Sequence, residues 1–346
     1  MVRHRYDLAS DNTAGICPES WAALEEANAD AVASYGDDRW THRVSELVRE
    51  IFETDCESFF VFNGTAANSL ALAQLCRSYH SVICHEHSHI EMDECGGPEF
   101  FSGGSKLIPT QGSNGKLDLE EVAAALLKQR ELHSPKPRVI SVTQSTELGT
   151  VYAAGEIMRI AEFAREHSMF VHMDGARFAN AVAMLGCAPK EITWAAGVDV
   201  LTFGGTKNGA GGGEVVVFFK KELAADFDYR AKQAGQLASK MRFIAAPWTG
   251  LLTGGVWFEN ARRANASAER LATRLHEVAG FEPAFPREAN AVFLHMPEAL
   301  VRQLHERGWH FYKFIEPDVY RVMCSWSLTD QIIDEFIEDV KELQAV

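Results

Sequence analysis

Between about residues 43 and 245, short apolar runs rich in β-branched and aromatic residues alternate with longer segments of helical period. Such runs predict buried strands, and apolar positions three or four residues apart predict helices. Strands separated by helices imply right-handed crossovers and a largely parallel sheet covered on both faces, which is an α/β fold. The predicted strands cover residues 59–62, 81–84, 138–142, 169–173, 198–203 and 214–219, and the clearest helices cover 66–75 and 157–167.

The pattern changes after about residue 250, where a long helical segment is followed by alternating strand and helix signals. This part of the sequence predicts a smaller α+β domain. We therefore expect a large domain over residues 16–247 and a small one that combines residues 1–15 with residues 248–346. The C-terminal segments concerned are 250–278, 291–295, 298–306, 319–324 and 331–343.

The composition excludes several classes of protein. With 47% hydrophobic and 23% charged residues, the chain has the composition of a globular protein. Its net charge of −15 argues against general binding of nucleic acid or anionic membranes. No segment approaches the roughly 20 apolar residues of a membrane helix, and no apolar stretch follows the basic N-terminal residues. The seven cysteines, an odd number without a CxxC pair, fit a reduced compartment, so a soluble cytoplasmic protein is expected.

A lysine follows the strand predicted over 198–203, in the segment GGTKNG at 204–209. Ligands of parallel α/β sheets bind beyond the strand ends, so this position is informative. Lys207 is either a surface loop residue or an amine that forms an imine with an aldehyde in a glycine-lined pocket. The segment does not have the GxxxxGK[ST] spacing of a Walker A loop.

Candidate catalytic or binding residues follow two further predicted strands. Asp174 follows the strand over 169–173, where it would either cap the next helix or hold a proton on the nitrogen of a pyridine ring. The turn NGTA at 63–66 joins a strand to a helix. Its glycine and free N–H groups suit a phosphate, although many such turns contain Gly-Thr.

Three histidines at alternate positions, His85, His87 and His89, follow the strand over 81–84. Three interpretations are open. The histidines are metal ligands of a metal-dependent hydrolase, or loop residues with no shared role, or His89 alone is a ring that stacks on a flat cofactor. The order of the segments favours the last interpretation. A phosphate turn, a stacking aromatic ring, an aspartate and a lysine follow one another as a pyridoxal phosphate (PLP) enzyme of the aspartate aminotransferase fold requires.

Taken together, these motifs resemble those of the low-specificity L-threonine aldolases, which belong to the β-eliminating lyase group of fold-type I PLP enzymes. The resemblance extends almost from end to end. It implies a PLP-dependent transferase-like fold, with a mostly parallel sheet in the large domain and a small α+β C-terminal domain. It rests on DLASDNT at 7–13, YGDD at 35–38, NGTAAN at 63–68, HSHIEMDE at 87–94, DGAR at 174–177 and GGTKNG at 204–209.

The resemblance also implies roles for individual residues in binding and catalysis. Lys207 would form an imine with PLP, and Asp174 would pair with the pyridinium nitrogen. His89 would stack on the ring and is the candidate for moving the proton of the substrate hydroxyl, directly or through a water. Gly64 and Thr65 would hold the phosphate.

Further contacts implied by the resemblance concern the substrate and a neighbouring subunit. The substrate carboxylate would be held by Ser10, by Arg321 and by Arg177, which would also lie beside the cofactor. Thr146 occupies the place where some members direct a second histidine at the substrate hydroxyl. Because the family usually forms homotetramers built from dimers, residues of a neighbouring subunit are expected at the active site, namely Tyr35, Lys232 and Arg242.

The implied reaction is the reversible retro-aldol cleavage of L-threonine and L-allo-threonine to glycine and acetaldehyde, with broad scope among β-hydroxy-α-amino acids. An L-phenylserine aldolase or a β-eliminating lyase would keep the same residues on the same scaffold. Two alternatives of another class are the metal-dependent hydrolase and a non-catalytic relative that only binds.

Overall fold

The structure, a computed structural model, describes residues 6–29 and 31–344. The strands of this part of the chain are β1 (Tyr6–Asp7), β2 (Glu57–Val61), β3 (His80–His85), β4 (Lys106–Thr110), β5 (Lys136–Thr143), β6 (Phe170–Gly175), β7 (Val200–Phe203), β8 (Glu214–Phe218), β9 (Ala291–His295), β10 (Trp309–His310), β11 (Tyr312–Ile315) and β12 (Val319–Met323). The α-helices are α1 (Pro18–Ala27), α2 (Arg39–Phe52), α3 (Gly64–Leu75), α4 (His89–Met92), α5 (Gly97–Phe101), α6 (Leu119–Leu127), α7 (Ala154–Glu166), α8 (Phe178–Leu185), α9 (Phe227–Gln233), α10 (Arg242–Leu252), α11 (Val256–Ala279), α12 (Glu298–Glu306) and α13 (Asp330–Gln344).

The main sheet has seven strands in the order β2-β8-β7-β6-β5-β3-β4. Neighbouring strands from β7 to β4 are parallel, and β8 runs antiparallel to both of its neighbours. The register of β6 and β7 pairs Asp174 with Thr202 and Gly175 with Phe203. The loops that follow these two strands therefore leave the sheet side by side, and this edge holds the site described below.

Both faces of the sheet are covered by helices, as a sheet with buried strands requires. Successive residues of β8 show this directly, because Val215 and Val217 join one apolar cluster and Val216 and Phe218 join another. The first cluster includes residues of α2, α7, α8 and α10, and the second includes residues of α3 and α9. The prediction of an α/β fold with a mostly parallel sheet is confirmed.

The predicted helix over 250–278 is wrong in one respect, because it is two helices. Helix α10 ends at Leu252 and α11 begins at Val256. Between them, Gly254 and Gly255 have φ values of +66° and +77°. Glycine adopts such positive φ angles readily, so the pair allows the chain to change direction where a continuous apolar pattern hides the break.

The C-terminal part contains an antiparallel sheet of order β11-β12-β9. The N-terminal segment packs against it, because β1 pairs with β10 and the N–H of Met323 donates to the carbonyl of Leu8 at 2.8 Å. Helix α10 crosses the predicted domain boundary, and its Trp248 lies in the core of the main sheet, so the division at residue 247 stays a prediction. No helix within the described residues is both long and apolar enough to cross a membrane.

Candidate active site

A cavity of about 390 Å³ opens at the edge of the main sheet where β6 and β7 end. Five residues that the sequence singled out lie on its wall: Gly64, Thr65, His89, Asp174 and Lys207. They come from four separate segments, namely the starts of α3 and α4, the end of β6 and the turn after β7, yet the parallel strands bring them to one place.

Lys207 lies in a tight turn directly after β7. The turn is held by Glu214, whose Oε2 accepts a hydrogen bond of 2.6 Å from the N–H of Gly205. Burial raises the pKa of Glu214 to about 6, although its hydrogen bonds with Thr206 and Gly205 oppose the change. A side chain at Gly204 would lie 2.6 Å from the carbonyl oxygen of Ala176, so this glycine is needed for the turn to pack against the loop after β6.

Asp174 is 3% exposed and sits at the end of β6. Its Oδ1 accepts a hydrogen bond of 3.0 Å from the N–H of Ala176, and its Oδ2 accepts one of 2.8 Å from Asn68. The alternative that Asp174 caps the next helix does not hold, since α8 begins at Phe178 with Arg177 as its N-cap residue. A buried carboxylate on a cavity wall is suited to bind a cationic group, such as a protonated ring nitrogen.

The turn at residues 63–66 starts helix α3, and Gly64 and Thr65 of its first turn line the cavity. The side chain of Asn63 accepts a hydrogen bond of 2.9 Å from the N–H of Ala66. The other N–H groups of a first turn have no acceptor within the helix, and the helix dipole favours an anion there. The start of α3 therefore suits a phosphate group.

His89 lines the cavity with its ring fixed by Glu94, whose Oε1 accepts a hydrogen bond of 2.9 Å from Nδ1. Burial alone would lower the pKa of His89. The hydrogen bond to Glu94 and the negative charges of Asp174 and Glu147 outweigh burial and raise this pKa.

The three alternating histidines do not form a metal site. Nε2 of His85 hydrogen-bonds the carbonyl of Gly112 at 3.0 Å, and its Nδ1 accepts from the N–H of His87 at 3.1 Å. Both ring nitrogens of His85 are thus engaged within the protein. In the part of the chain that the structure describes, the group of side chains close enough to share a metal ion is His89, Glu94 and Asp174, without the other two histidines.

The two arginines predicted to hold a carboxylate are buried together beside the N-terminal segment. Nε and Nη2 of Arg177 donate to the two carboxylate oxygens of Asp11 at 2.7 and 2.9 Å. Nη2 of Arg321 donates to the carbonyl of Ala9 at 3.1 Å and to the hydroxyl of Tyr312. Burial and the nearby charge of Arg177 lower the pKa of Arg321. Ser10 lies in the same segment and its Oγ accepts a hydrogen bond of 3.2 Å from the N–H of Asn12, a residue of the cavity wall.

Three residues predicted to act across a subunit interface lie outside the cavity of their own chain. Tyr35 is half exposed, and Nζ of Lys232 lies 4.4 Å from the centre of its ring. Nε of Arg242 donates to the carbonyl of Ala27 at 3.0 Å. The part of the prediction that concerns a neighbouring subunit stays a prediction.

Thr146, predicted to lie near the substrate hydroxyl, is held within its own loop, and its role stays a prediction. This residue is buried, and its hydroxyl is paired with that of Thr150 at 2.7 Å within its own loop. It does not belong to the cavity wall as the structure describes it. The next residue, Glu147, is the member of this loop whose charge acts on His89, Arg177 and Arg321.

Sequence reasoning missed three residues that organise the site, Asp11, Asn68 and Glu94. Each stands inside a motif that carried the resemblance, at 7–13, 63–68 and 87–94. Their position inside these motifs was the available signal. It did not identify their partners.

Comparisons of the sequence and of the structure with known proteins indicate the same enzyme family. The family model for the beta-eliminating lyases matches residues 7–299. The chain is 52% identical over 345 residues to the low specificity L-threonine aldolase of a Pseudomonas species, covering 100% of both chains. It is 54% identical over 341 residues to the enzyme of the same name from Pseudomonas aeruginosa, covering 99% of both. The solved structure of a threonine aldolase from Leishmania major superposes with a TM-score of 0.92 at 25% identity, covering 98% of this chain and 99% of that one.

Proposed function

Because the chain belongs to the β-eliminating lyase family, we propose that it is a PLP-dependent aldolase that cleaves L-threonine and L-allo-threonine to glycine and acetaldehyde. The reaction is reversible and extends to other β-hydroxy-α-amino acids. The observation that supports it most directly is the meeting of Lys207, Asp174 and His89 on one cavity wall. An amine, a buried carboxylate and an imidazole in one cavity are the groups that this reaction uses.

The residues of the cavity fit PLP. Lys207 offers an amine for its aldehyde, Asp174 offers a carboxylate for its ring nitrogen, and the first turn of α3 offers N–H groups for its phosphate. When bound, PLP supplies a cationic ring that takes up the electron pair released from the Cα–Cβ bond of the substrate. His89, on the same wall, presents an aromatic ring for stacking.

Arg177 and Arg321, together with Ser10, bind the carboxylate of the amino acid. Arginine suits this task because its planar guanidinium forms parallel hydrogen bonds to a carboxylate and stays charged when buried. Both arginines are less than a tenth exposed, so a carboxylate that reaches them leaves water and is held firmly. This binding orients the substrate before its bond is broken.

His89 takes the proton from the β-hydroxyl, directly or through a water. Imidazole titrates near neutral pH and is therefore an efficient proton acceptor under ordinary conditions. Since Nδ1 donates to Glu94, Nε2 is the ring nitrogen that remains for the substrate.

The active enzyme is a cytoplasmic homotetramer, a dimer of dimers, in which Tyr35, Lys232 and Arg242 face the cavity of a neighbouring subunit. Two of them, Tyr35 and Lys232, already form one patch on the surface of the chain. Lys232 and Arg242 add positive charge for the phosphate, and Tyr35 contacts the substrate. Light scattering of the PLP-loaded protein measures the number of subunits.

A visible spectrum of the purified protein with added PLP tests the cofactor, and borohydride should fix PLP to the peptide that contains Lys207. Acetaldehyde release from L-threonine tests the reaction. Values of kcat/KM for L-threonine, L-allo-threonine and L-phenylserine separate a threonine aldolase from a phenylserine aldolase.

The Lys207→Ala variant is the control that should lose both the fixed cofactor and the reaction. A protein that stays colourless with PLP contradicts the proposal.

A further inference from the structure

Glu94 lies in the turn between α4 and α5, and its side chain has no exposed surface. Its Oε1 accepts two hydrogen bonds, from Nδ1 of His89 at 2.9 Å and from Nδ2 of Asn68 at 2.8 Å. Its Oε2 is buried and has no hydrogen-bond partner among the described residues. A buried carboxylate is unfavourable unless a charged or hydrogen-bonding group compensates it. The ionisable group that does so here is His89.

Asn68 connects this pair to Asp174 on the cavity wall. Its Nδ2 donates to Glu94 and also to Oδ2 of Asp174, at 2.8 Å in both cases. Both partners are carboxylate oxygens, which only accept hydrogen bonds, so the amide must turn its NH2 group toward them. The four side chains form one continuous network in the order His89, Glu94, Asn68 and Asp174.

We infer that Glu94 is a positioning residue for the cleavage reaction, which fixes the ring of His89 with Nδ1 turned inward and Nε2 left for the substrate hydroxyl. This inference rests on the proposed function, which gives His89 its role. When Nε2 takes a proton, the ring becomes cationic, and the Glu94 carboxylate at 2.9 Å stabilises that cation. A carboxylate behind a catalytic imidazole acts in the same way in other enzymes.

The charges around His89 support this assignment. Three carboxylates act on its ring, namely Glu94 by a hydrogen bond and Asp174 and Glu147 through space. Glu94 is the one that contacts the ring directly, so its removal should change both the orientation and the titration of His89. Loss of a more distant charge would change the titration alone.

A metal ion at this place is disfavoured, although donor atoms of His89, Glu94 and Asp174 lie within 4.8 Å of one another. The NH2 group of Asn68 already contacts both carboxylates. A cation held between the same oxygens would meet these N–H donors and be repelled by them. The cluster is therefore assigned as a network that holds protons.

The variant Glu94→Gln tests the inference, because it removes the charge while keeping the shape and one acceptor oxygen. The variant Glu99→Gln in α5 is the matched control. Glu99 also has a buried oxygen without a hydrogen-bond partner among the described residues, and it forms no hydrogen bond with the network. The PLP-loaded proteins are compared by 15N NMR titration of His89, assigned with His89→Asn, and by kcat and KM for L-threonine.

The Glu94→Gln variant should lower the pKa of His89 by about 1 and kcat by about 10- to 100-fold, with KM changed by less than about twofold. The control should match the wild type in all three quantities. An unchanged titration of His89, or a loss confined to KM, would overturn the inference.

If Glu94→Gln does not fold, Glu94→Asp is compared with the wild type instead. Its shorter side chain keeps the charge but cannot hold Nδ1 of His89 in the same position. It should lower kcat and preserve KM, and a wild-type kcat would overturn the inference. The proposed function fails separately, because PLP-loaded wild-type protein that releases no acetaldehyde contradicts it whatever the titration of His89 shows.

Discussion

Arg177 and Asp11 form a buried ion pair with two contacts, in which Nε donates to Oδ2 at 2.7 Å and Nη2 donates to Oδ1 at 2.9 Å. Asn290 donates a further hydrogen bond of 3.0 Å to Oδ2 of Asp11. These contacts fix the plane of the guanidinium. Nη1 has no hydrogen-bond partner among the described residues, so the pairing leaves one edge of Arg177 unpaired, as the proposed binding of a carboxylate requires.

Replacing Asp11 with asparagine should raise KM for L-threonine by about 10-fold and lower the free energy of unfolding by about 3 kcal/mol. Asparagine has one acceptor oxygen and no charge, so Arg177 would keep a buried charge without its counter-ion. Steady-state kinetics and urea unfolding measure the two effects. The control Glu26→Gln removes an exposed ion pair with Arg39 and should cost no more than about 1 kcal/mol. Wild-type values for both quantities would show that Arg177 does not depend on Asp11.

The same pair should make stability depend on pH on the acid side. Burial alone would raise the pKa of Asp11, but the positive charges of Arg177 and Lys207 lower it from 3.8 to about 2. A carboxyl group whose pKa is lower in the folded than in the unfolded state stabilises the fold above the unfolded value. This contribution, roughly 2 kcal/mol, is complete above about pH 5 and is lost as the pH falls toward 2.

Urea unfolding between about pH 3 and 6 at constant ionic strength measures this dependence. The Asp11→Asn variant should lose stability less steeply than the wild type as the pH falls, because its side chain does not titrate. Parallel curves for the two proteins would contradict the assignment of the low pKa to Asp11.

The main sheet could be predicted because its strands are buried on both faces and therefore form nearly continuous apolar runs. Strand β4 was not predicted from the sequence, and the reason is physical. It is an edge strand that contains Pro109, and proline argues against a strand in any pattern-based analysis. Helix α2, by contrast, has a regular apolar stripe that includes Val44, Leu47 and Val48, and the sequence alone could have indicated it.

The residues of the site also fall into those that the sequence could predict and those that it could not. Lys207 and Asp174 could be proposed because each follows a recognisable strand. Glu94 could not be assigned a role, since its partner Asn68 is 26 positions away and no local pattern joins the two. Asp11 and Arg177 are 166 positions apart. An acidic residue in a loop is ordinarily exposed, and only the folded chain shows that Asp11 is buried against an arginine and Glu94 against a histidine.

Replacing Arg321 with alanine should raise KM for the amino acid substrate by about 10- to 100-fold and leave the visible absorption of bound PLP intact. Arg321 is held by Ala9 and Tyr312, while its Nε is buried with no hydrogen-bond partner among the described residues. Such a donor is suited to a substrate carboxylate. The control Tyr312→Phe removes only the hydroxyl contact and should raise KM by less than about threefold. A wild-type KM for Arg321→Ala would remove this arginine from the carboxylate site.

Replacing Gly205 with alanine should displace the turn that carries Lys207. The added Cβ would lie 2.4 Å from Cζ2 of Trp248, a fully buried ring whose Nε1 donates to the carbonyl of Gly213 at 3.0 Å. Since the ring is fixed, the turn itself must move. The free energy of unfolding should fall by about 1 to 3 kcal/mol, and the Kd for PLP, measured by absorbance titration, should rise by about 10-fold.

The matched control is Gly155→Ala near the start of α7, where a Cβ meets no atom within 4 Å. Alanine favours a helix, so this variant should equal or exceed the wild type in stability by up to about 1 kcal/mol and bind PLP unchanged. The two variants add the same methyl group, so any difference between them comes from the surroundings of the glycine. If Gly205→Ala bound PLP as tightly as the control does, close packing of this turn against Trp248 would not be what positions Lys207.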